Sequence, residues 1–550
     1  MQRITVRLLC TVMSVAAFGT LSAPAAQPDV ELRSRSVVAI TVCSPDGTAG
    51  QGSCPAGTSD TQQIVLGPSG ASINLEGVHA VSDEHSSVFP PGSLGGNSDY
   101  RFFVAAGTDV NPDIGVVVLS GGSGPAANGQ WTVGFAPGYG SYSEGYGAVF
   151  LEPLTESHCP SVSSATQQDP TFDLNYAASG SVVPDVTDLP GHLLMIYEGT
   201  ETCIGSTGGT KAGTGAYITT GVATSFDNGV TWPSYRGTST FNFVPLPHSN
   251  KTNGPNLPFG ALGAGVCFGI DCTQTPPATY GRYAVLSPPV SMASLIATGA
   301  AMGPNTADSE PSAFVDDASP GPDRYVYEVH THNPGSAAPT ADQFPDGRTI
   351  DLTVARAQLN GGSAPLQFTK WDGRGFSSLG IGGHEVAILP DGAFESCGTL
   401  DQTRTAGSIS YVEDTQQYLL TFVCSSPGDP ANGSKGGDKG AAWFWATSRD
   451  LSDQTLWSTP QEVLGSWTPF DTGTPAGSYG CSSFQGWYPT LMSLDHAPGH
   501  LATRGYVFYL WGCEGGGGPN GNPPKRQYSS RRFTIAADSV VRREARPEAH

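Results

Sequence analysis

Ser225-Phe226-Asp227-Asn228-Gly229-Val230-Thr231-Trp232 is the stretch of sequence that says most about the fold. It follows a strand-like segment at 217–224, and its Asp-Asn-Gly centre is typical of a tight turn between antiparallel strands. In such a turn Asp227 accepts backbone N–H groups, Gly229 takes a positive φ, and Trp232 packs beneath. The stretch therefore predicts a β-hairpin.

Strand-like segments of the same kind run along the whole chain. They are rich in Val, Ile, Tyr, Phe and Leu and are bounded by Gly, Pro, Asn or Asp. With 72 glycines and 44 prolines, the composition also favours many turns. Long amphipathic helices are nearly absent, and 289–298 is the best short candidate. The predicted strands include 101–105, 115–119, 192–198, 217–224, 324–329, 352–356, 417–423, 441–446 and 505–510.

These segments recur in one order, five times. Each unit has a short apolar strand, a strand ending in aromatic residues, a strand with small residues, and a closing Trp or Phe segment. The units begin at Ser86, Ser181, Ser312, Ser408 and Thr490 and close at Trp131, Trp232, Trp371, Trp457 and Phe533. Four-stranded units repeated around an axis are the blades of a propeller. We predict an all-β, five-bladed β-propeller with long inter-strand loops at 60–536; an array of β-sandwiches is the alternative.

The two ends of the chain are predicted to lie outside this propeller. Arg3 and Arg7 flank the start of an apolar run at 8–23, and Ala23-Pro24-Ala25 offers small residues to a signal peptidase. Residues 1–26 are therefore a predicted signal peptide, and we expect a secreted protein, extracellular or periplasmic, with no membrane segment. We expect 27–59 to be a disulfide-linked segment and the Arg-rich 537–550 to be a disordered tail.

The cysteines agree with export. Removing Cys10 with the signal peptide leaves ten of the 11 cysteines, an even number. They predict five disulfides between sequence neighbours, although sequence alone leaves the connectivity open. Each bridge contributes about 2–4 kcal/mol. The predicted pairs are Cys43 with Cys54, Cys159 with Cys203, Cys267 with Cys272, Cys397 with Cys424, and Cys481 with Cys513.

Charge and motifs exclude several classes of function. Charged residues make up only 13% of the chain and the formal net charge is −22, which argues against nucleic-acid binding. We expect no cofactor and a monomer. Asp109-Val110-Asn111-Pro112-Asp113 resembles the start of a calcium loop, but Ile114 replaces the required glycine, so a turn is favoured over a structural calcium ion. His330-Thr331-His332 has no evident third ligand, and a loop pair is favoured over a metal site.

The units resemble the five-bladed propeller glycosidases of the arabinanase, β-xylosidase and fructosidase group. Unit two carries this likeness in Leu194-Met195-Ile196-Tyr197-Glu198-Gly199, and the likeness extends over about 75–535. The stretch Ser225–Trp232 matches S-x-D-x-G-x-T-W, which resembles the structural Asp box of the sialidases and is the only sharp motif. The resemblance implies glycan hydrolysis by a blade-one acid that is base or nucleophile, a blade-two Asp, and a blade-three Glu that is general acid.

The residues that would line the funnel follow from aligning the five innermost strands. The aligned apolar residues are Val88, Val182, Ala313, Ile409 and Leu491. Three residues earlier lie His85, Ser179, Glu310, Ala406 and Tyr488, and two earlier again lie Asp83, Ala177, Asp308, Arg404 and Gly486. Because side chains alternate along a strand, both rows are predicted to face the funnel.

Ser309-Glu310-Pro311 fits the blade-three position of the resembled enzymes, so Glu310 is the predicted general acid. Asp83 is the predicted base or nucleophile, although it lies two residues early. His85, Asp308, Arg404 and Tyr488 are predicted to bind substrate. Blade two has no Asp at its position, and Asp173 or Asp185 is a candidate substitute. A Glu before Pro can also simply cap a turn.

The sequence thus predicts a secreted glycoside hydrolase that cleaves a poly- or oligosaccharide with paired carboxylates. One alternative is a sialidase-like hydrolase, in which Tyr488 and Glu310 form the nucleophile, Asp83 is acid and base, and Arg404 holds a carboxylate. Against it, only one Asp box is complete. Another alternative is a propeller that binds glycans without cleaving them.

Overall fold

The structure is a computed structural model. In the part of the chain that it describes, the regular secondary structure is almost entirely β-strand. The described residues are 34–42, 62–63, 65–66, 80–81, 84–107, 115–126, 131–136, 139, 176–184, 191–201, 217–225, 227–230, 283–286, 288, 306–316, 324–333, 350–359, 366–380, 382–389, 403–425, 441–463, 485–512 and 527–540. Within these ranges the only helical element is a 3₁₀ turn at Gln454–Leu456.

The strands are, in chain order, β1 (Ser34–Val42), β2 (Gln62–Gln63), β3 (Val65–Leu66), β4 (Ala80–Val81), β5 (Ser87–Phe89), β6 (Arg101–Gly107), β7 (Gly115–Ser120), β8 (Thr132–Phe135), β9 (Tyr176–Pro184), β10 (Leu193–Glu201), β11 (Tyr217–Ser225), β12 (Tyr283–Leu286), β13 (Thr306–Asp316), β14 (Tyr325–Asn333), β15 (Asp351–Gln358), β16 (Thr369–Trp371), β17 (Phe376–Leu379), β18 (Thr403–Val412), β19 (Gln417–Ser425), β20 (Ala441–Ser448), β21 (Gln461–Glu462), β22 (Gln485–Met492), β23 (His500–Leu501), β24 (Arg504–Gly512) and β25 (Gln527–Val540).

These strands form the five predicted blades. Blade one is built on β5 to β8, blade two on β9 to β12, blade three on β13 to β17, blade four on β18 to β21, and blade five on β22, β24, β25 and β1. Each blade is an antiparallel meander that starts at its innermost strand. The all-β, five-bladed propeller predicted from the repeats is confirmed. Every strand predicted from a single apolar segment is present, and the helix candidate at 289–298 lies outside the described residues.

The ends of the chain take part in the last blade, which the sequence boundaries did not predict. β1 is the outermost strand of blade five and pairs along its length with β25, from Ser34↔Val540 to Val42↔Phe533. Part of 27–59 therefore belongs to the propeller, and 537–540 is strand rather than disordered tail. The physical reason is that β25 would otherwise expose a row of unpaired backbone groups, which a strand from the other end of the chain covers.

An interruption of the ladder recurs in the innermost strands. The registers of β13, β18 and β22 shift between Ser309 and Ser312, between Thr405 and Ser408, and between Trp487 and Thr490. The residues Glu310, Ala406 and Tyr488 in these bulges have φ values of 57°, 51° and 58°. β9 has a matching shift, which leaves out Gly180. The bulges therefore give several blades the same local geometry at the row predicted to face the funnel.

The residues just after these bulges are hydroxyl-bearing and connect neighbouring blades. Ser181 Oγ lies 3.5 Å from Ser312 Oγ, which in turn lies 3.3 Å from Ser408 Oγ. Ser87 Oγ in blade one accepts the backbone N–H of Val182 at 2.8 Å. Because these contacts join strands of different blades, they fix the relative positions of the innermost strands.

The turn at 227–230, after β11, packs blade two on blade one, and the second strand of the predicted hairpin lies outside the described residues. Ser225 Oγ donates to Asp227 Oδ1 at 2.9 Å and accepts the N–H of Gly229 at 2.8 Å. Gly229 has a φ of 82°, as predicted, and a Cβ there would lie 2.6 Å from the ring of Phe103. The turn is therefore structural in its contacts. Trp232 lies outside the described residues.

Of the cysteines in the predicted disulfides, one, Cys424, is among the described residues. Cys424 is buried and disulfide-bonded, which agrees with its predicted participation in a bridge. Its predicted partner and the four other predicted pairs stay a prediction, because none of their cysteines is among the described residues. These nine cysteines are Cys43, Cys54, Cys159, Cys203, Cys267, Cys272, Cys397, Cys481 and Cys513.

Two further sequence predictions concern a calcium ion and the membrane. The calcium-like loop at 109–113 lies outside the described residues. In the described part of the chain, no helix has the length and apolar character needed to cross a bilayer.

Trp131 closes the ring between blade one and blade five. Its side chain is fully buried and makes edge-to-face contacts with Tyr100 and Phe102 of blade one and with Tyr506 and Phe508 of blade five. Large buried aromatic residues in such contacts contribute strongly to a core.

We predict that Trp131→Ala lowers the free energy of unfolding by about 3–5 kcal/mol, because it empties a packed site between the first and last blades. Urea unfolding followed by tryptophan fluorescence measures the change. Leu379→Ala is the control, since that side chain is 55% exposed and its loss should cost no more than about 0.5 kcal/mol. Equal effects of the two substitutions would contradict the assignment of Trp131 to the closing interface.

Candidate functional site

The carboxylate of Glu310 lies where blades three, four and five meet. Its Oε2 accepts the backbone N–H of Ala406 at 2.9 Å and the hydroxyl of Thr331 at 2.5 Å. Its Oε1 accepts the hydroxyl of Tyr488 at 3.0 Å. The residue is only partly buried, unlike the other acidic side chains of blade three at this end of the sheet, Asp308 and Asp351. A carboxylate held this way has a defined orientation.

Tyr488 reaches Glu310 from the equivalent position of blade five. Both residues have a positive φ and both precede a proline, Pro311 or Pro489. A positive φ is uncommon for residues other than glycine, and a residue before proline is further restricted. Such conformations persist only where the surrounding structure holds them, and they cluster at functional sites.

His85 of blade one completes this group. Its ring meets the ring of Tyr488 edge to face, with 5.4 Å between the centroids, and its Nδ1 lies 3.2 Å from Thr490 Oγ1. Burial lowers the pKa of His85 to about 3. The imidazole is therefore neutral near neutral pH and serves as a hydrogen-bonding group rather than as a cation.

The structure thus brings together three residues that the alignment places in the funnel, Glu310, Tyr488 and His85. Their catalytic or binding roles stay predictions. Asp83 lies outside the described residues.

The other two predicted substrate ligands have internal partners. Asp308 is fully buried and binds Lys370 Nζ at 2.6 Å and His332 Nδ1 at 2.8 Å. Arg404 is also buried, and its Nη2 binds Asp351 Oδ2 at 2.8 Å. The alignment assumed an uninterrupted alternation of side chains, whereas bulges separate Asp308 from Ser312 and Arg404 from Ser408.

Asp308 belongs to a buried network of charged side chains in blade three. Lys370 Nζ also binds Glu385 Oε1 at 2.6 Å, and His332 Nδ1 lies 2.9 Å from the same oxygen. His330 continues the network, since its Nε2 lies 2.6 Å from Glu385 Oε2 and its Nδ1 lies 2.9 Å from Glu328 Oε2. Three carboxyl groups therefore face three basic groups in an interior site.

These contacts shift the pKa values of the basic groups upward. Burial alone lowers the pKa of His330, but Glu328 and Glu385 outweigh it and raise the pKa to about 10. Burial likewise opposes the charge of His332, and Glu385 and Asp308 raise its pKa to about 9. For Glu385, burial raises the pKa, but Lys370 and the two histidines hold it well below its usual range.

The same network contains a candidate set of metal ligands. One ligand atom from each of Asp308, His332 and Glu385 lies within 4.8 Å of the others. The sequence had offered no third ligand for His330 and His332 and placed them in a loop, whereas they lie in β14 and face these carboxylates. Lys370 Nζ is already 2.6 Å from Asp308 Oδ2 and from Glu385 Oε1, so its ammonium supplies the positive charge that these oxygens require.

Several residues of this region were missed by sequence reasoning. Glu198 of blade two accepts the backbone N–H of Glu310 at 3.0 Å. Its position could have been found, because Glu198 continues the alternation of Leu194 and Ile196, whose side chains pack toward blade three. No local pattern in the sequence marks Lys370 or Glu385, because they come close to Asp308 only in the folded chain.

The chain was compared with family models, curated proteins and solved structures. No family model matches the chain, and no curated protein matches it. An N-acetylgalactosamine deacetylase from F. plautii, in complex with blood group B trisaccharide, is 10% identical, with 87% of this chain and 95% of that chain covered and a TM-score of 0.40. The GH62 α-L-arabinofuranosidase of Coprinopsis cinerea is 10% identical, with 87% and 98% covered and a TM-score of 0.32.

A β-fructofuranosidase mutant from Microbacterium saccharophilum K-1 is also 10% identical, with 87% of this chain and 80% of that chain covered and a TM-score of 0.38. Two of these similar structures are thus of glycoside hydrolases. Likenesses at this level assign neither an activity nor the role of any residue.

The buried network predicts a loss of stability at alkaline pH. The pKa values of His330 and His332 are raised from the usual 6.5 to about 10 and about 9. Their contribution is therefore complete below pH 6.5 and is lost as the pH rises through 9 and 10. We expect the urea midpoint to fall between pH 8 and about 9.5, below the range in which most tyrosines and lysines titrate.

His332→Gln should flatten this fall, whereas His500→Gln, which removes a surface pair with Glu413, should leave it unchanged. A midpoint that stays constant from pH 8 to 9.5 in the wild-type protein would contradict the protonated state of the two histidines.

Proposed function

We propose that the protein is a secreted glycoside hydrolase that acts on an oligo- or polysaccharide, with Glu310 as its proton-transferring carboxylate. One observation carries the proposal: Glu310 is a partly exposed residue with a positive φ, and its carboxylate accepts hydrogen bonds from three strands of three blades. The fold class shared with glycoside hydrolases is consistent with it but does not assign it.

The chemistry requires a carboxylic acid that protonates the leaving oxygen and a second carboxylate that acts as base or nucleophile. Glu310 suits the first role because three donors fix its orientation and the residue is partly exposed. Asp83 remains the proposed partner. A separation of about 5–5.5 Å between the two carboxyl groups would imply retention of configuration, and about 6.5–9.5 Å would imply inversion.

The environment of Arg404 bears on the type of sugar. A sialidase-like site needs arginine side chains to hold the carboxylate of an acidic sugar. Arg404 was the arginine predicted for that purpose, but it is buried and paired with Asp351. We therefore favour a neutral sugar, such as those of arabinans, xylans or fructans.

A second candidate rests on the contact between Tyr488 and Glu310. The hydroxyl of Tyr488 lies 3.0 Å from Glu310 Oε1, within reach for proton transfer. A glutamate that takes the proton of a tyrosine creates a nucleophile, as sialidases do. This arrangement would make Tyr488, rather than Glu310, the group that attacks the sugar.

We predict that Glu310→Gln lowers turnover about a hundredfold or more, because it removes the transferable proton while keeping shape and hydrogen-bond acceptor. The substrate is found first, by measuring the sugars released from a panel of arabinans, xylans, fructans and sialosides. Glu413→Gln, on the surface of blade four, is the matched control and should keep full activity. If wild type binds a glycan from the panel yet cleaves none, the non-catalytic binding propeller is correct; a fully active Glu310→Gln would refute the role of Glu310.

Tyr488→Phe separates the two hydrolase candidates. If Tyr488 only orients Glu310, losing one hydrogen bond should lower turnover about tenfold or less. Initial rates on the substrate found by the panel measure this. A loss as large as that of Glu310→Gln, with release of sialic acid rather than a neutral sugar, would favour the tyrosine nucleophile instead.

A further inference from the structure

We infer that Glu198 of blade two is the positioning residue of Glu310, an inference that rests on the proposed function. Glu198 is only 8% exposed, and its Oε2 accepts the backbone N–H of Glu310 at 3.0 Å. It does so from a different blade, 112 residues earlier in the chain. The contact therefore connects the backbone at the candidate acid to a neighbouring sheet.

The bulge explains why this acceptor is needed. The register of β13 jumps from Ser309↔Thr331 to Ser312↔Val329, so Glu310 and Pro311 have no partners in the ladder with β14. Proline has no N–H, and the N–H of Glu310 is the donor that the bulge releases. A backbone donor in a largely buried position requires an acceptor, and a carboxylate makes a strong one.

The packing of blade two shows how Glu198 reaches this donor. Leu194 and Ile196 of β10 pack in the same hydrophobic cluster as Ala313 and Val315 of β13. Glu198 lies two residues after Ile196 and therefore on the same face of β10. The apolar contact between the two blades thus continues directly into the polar contact between Glu198 and Glu310.

A second contact holds the same dipeptide from blade two. A Cβ at Gly180 would lie 2.2 Å from the carbonyl oxygen of Pro311, so β9 can approach Pro311 this closely only with a glycine. The backbone of Glu310-Pro311 is therefore held on its blade-two side, while the carboxylate of Glu310 faces blades four and five through Ala406 and Tyr488.

The two carboxylates accept hydrogen bonds from the bulges of two neighbouring blades. Glu198 accepts the N–H of Glu310, and Glu310 accepts the N–H of Ala406, each from the preceding blade. Glu198 contacts the main chain of Glu310 and is not placed against its carboxylate by this contact. Its effect on the reaction is therefore exerted through the conformation of Glu310, at a φ of 57° that would relax without support.

Two substitutions at Glu198 separate positioning from mere folding. Glu198→Ala removes the acceptor, and we expect kcat to fall about tenfold or more with KM changed less than about twofold, because misorientation of a catalytic group affects the chemical step. Glu198→Gln keeps an acceptor oxygen and should retain kcat within about threefold of wild type. Glu413→Ala is the surface control and should keep both constants.

Hydrogen exchange at the Glu310 amide gives a readout independent of activity. It is measured by mass spectrometry with residue-level fragmentation, and Glu198→Ala should exchange faster than wild type while Glu198→Gln should not. Unchanged exchange in Glu198→Ala overturns the inference, and so does faster exchange with wild-type kcat. If Glu310→Gln is itself fully active, the proposed function fails, and with it the positioning role in catalysis.

Should Glu198→Ala fail to fold, Glu198→Asp takes its place, since the shorter side chain withdraws the acceptor. We then expect kcat of the Gln variant to exceed that of the Asp variant. The opposite order would show that negative charge, rather than the hydrogen bond to Glu310, is what the site requires, and would overturn the inference.

Discussion

The bulges of the innermost strands are the constraint on which the site depends. Each bulge releases a backbone N–H from its ladder, and at β13 and β18 the acceptor is a carboxylate from the preceding blade, Glu198 or Glu310. The same local geometry turns Glu310 and Tyr488 to a positive φ and brings their side chains into contact. One backbone irregularity, repeated by the fold, therefore both connects the blades and assembles the candidate site.

A network of six buried ionisable side chains lies beside this site. Asp308 lies two residues before Glu310 and is held by Lys370 and His332. Removing one partner from such a group leaves an uncompensated buried charge, which costs several kcal/mol, about 3–5 in measured cases. The network thus requires all its members at once, and it fixes the start of β13 in a position from which Glu310 can reach the neighbouring blades.

Local patterns in the sequence were sufficient for the strands of the apolar segments and for the blade count, because both follow from alternation and repetition along the chain. The alignment of innermost strands also located Glu310, Tyr488 and His85. It also included Asp308 and Arg404, which are buried in ion pairs with Lys370 and Asp351, and alternation does not anticipate the bulges that follow them. The strand β1 and the partners Lys370 and Glu385 could not be predicted, because pairings such as Ser34 with Val540 leave no trace in a local window.

We propose that a sugar is cleaved beside the carboxylate of Glu310. A crystal structure of Glu310→Gln with the oligosaccharide identified by the panel tests it most directly. We expect a glycosidic oxygen within hydrogen-bonding distance, about 3.2 Å, of the residue 310 amide, with Tyr488 beside the same sugar. A saccharide bound on another face of the propeller, with no atom near residue 310, would contradict it.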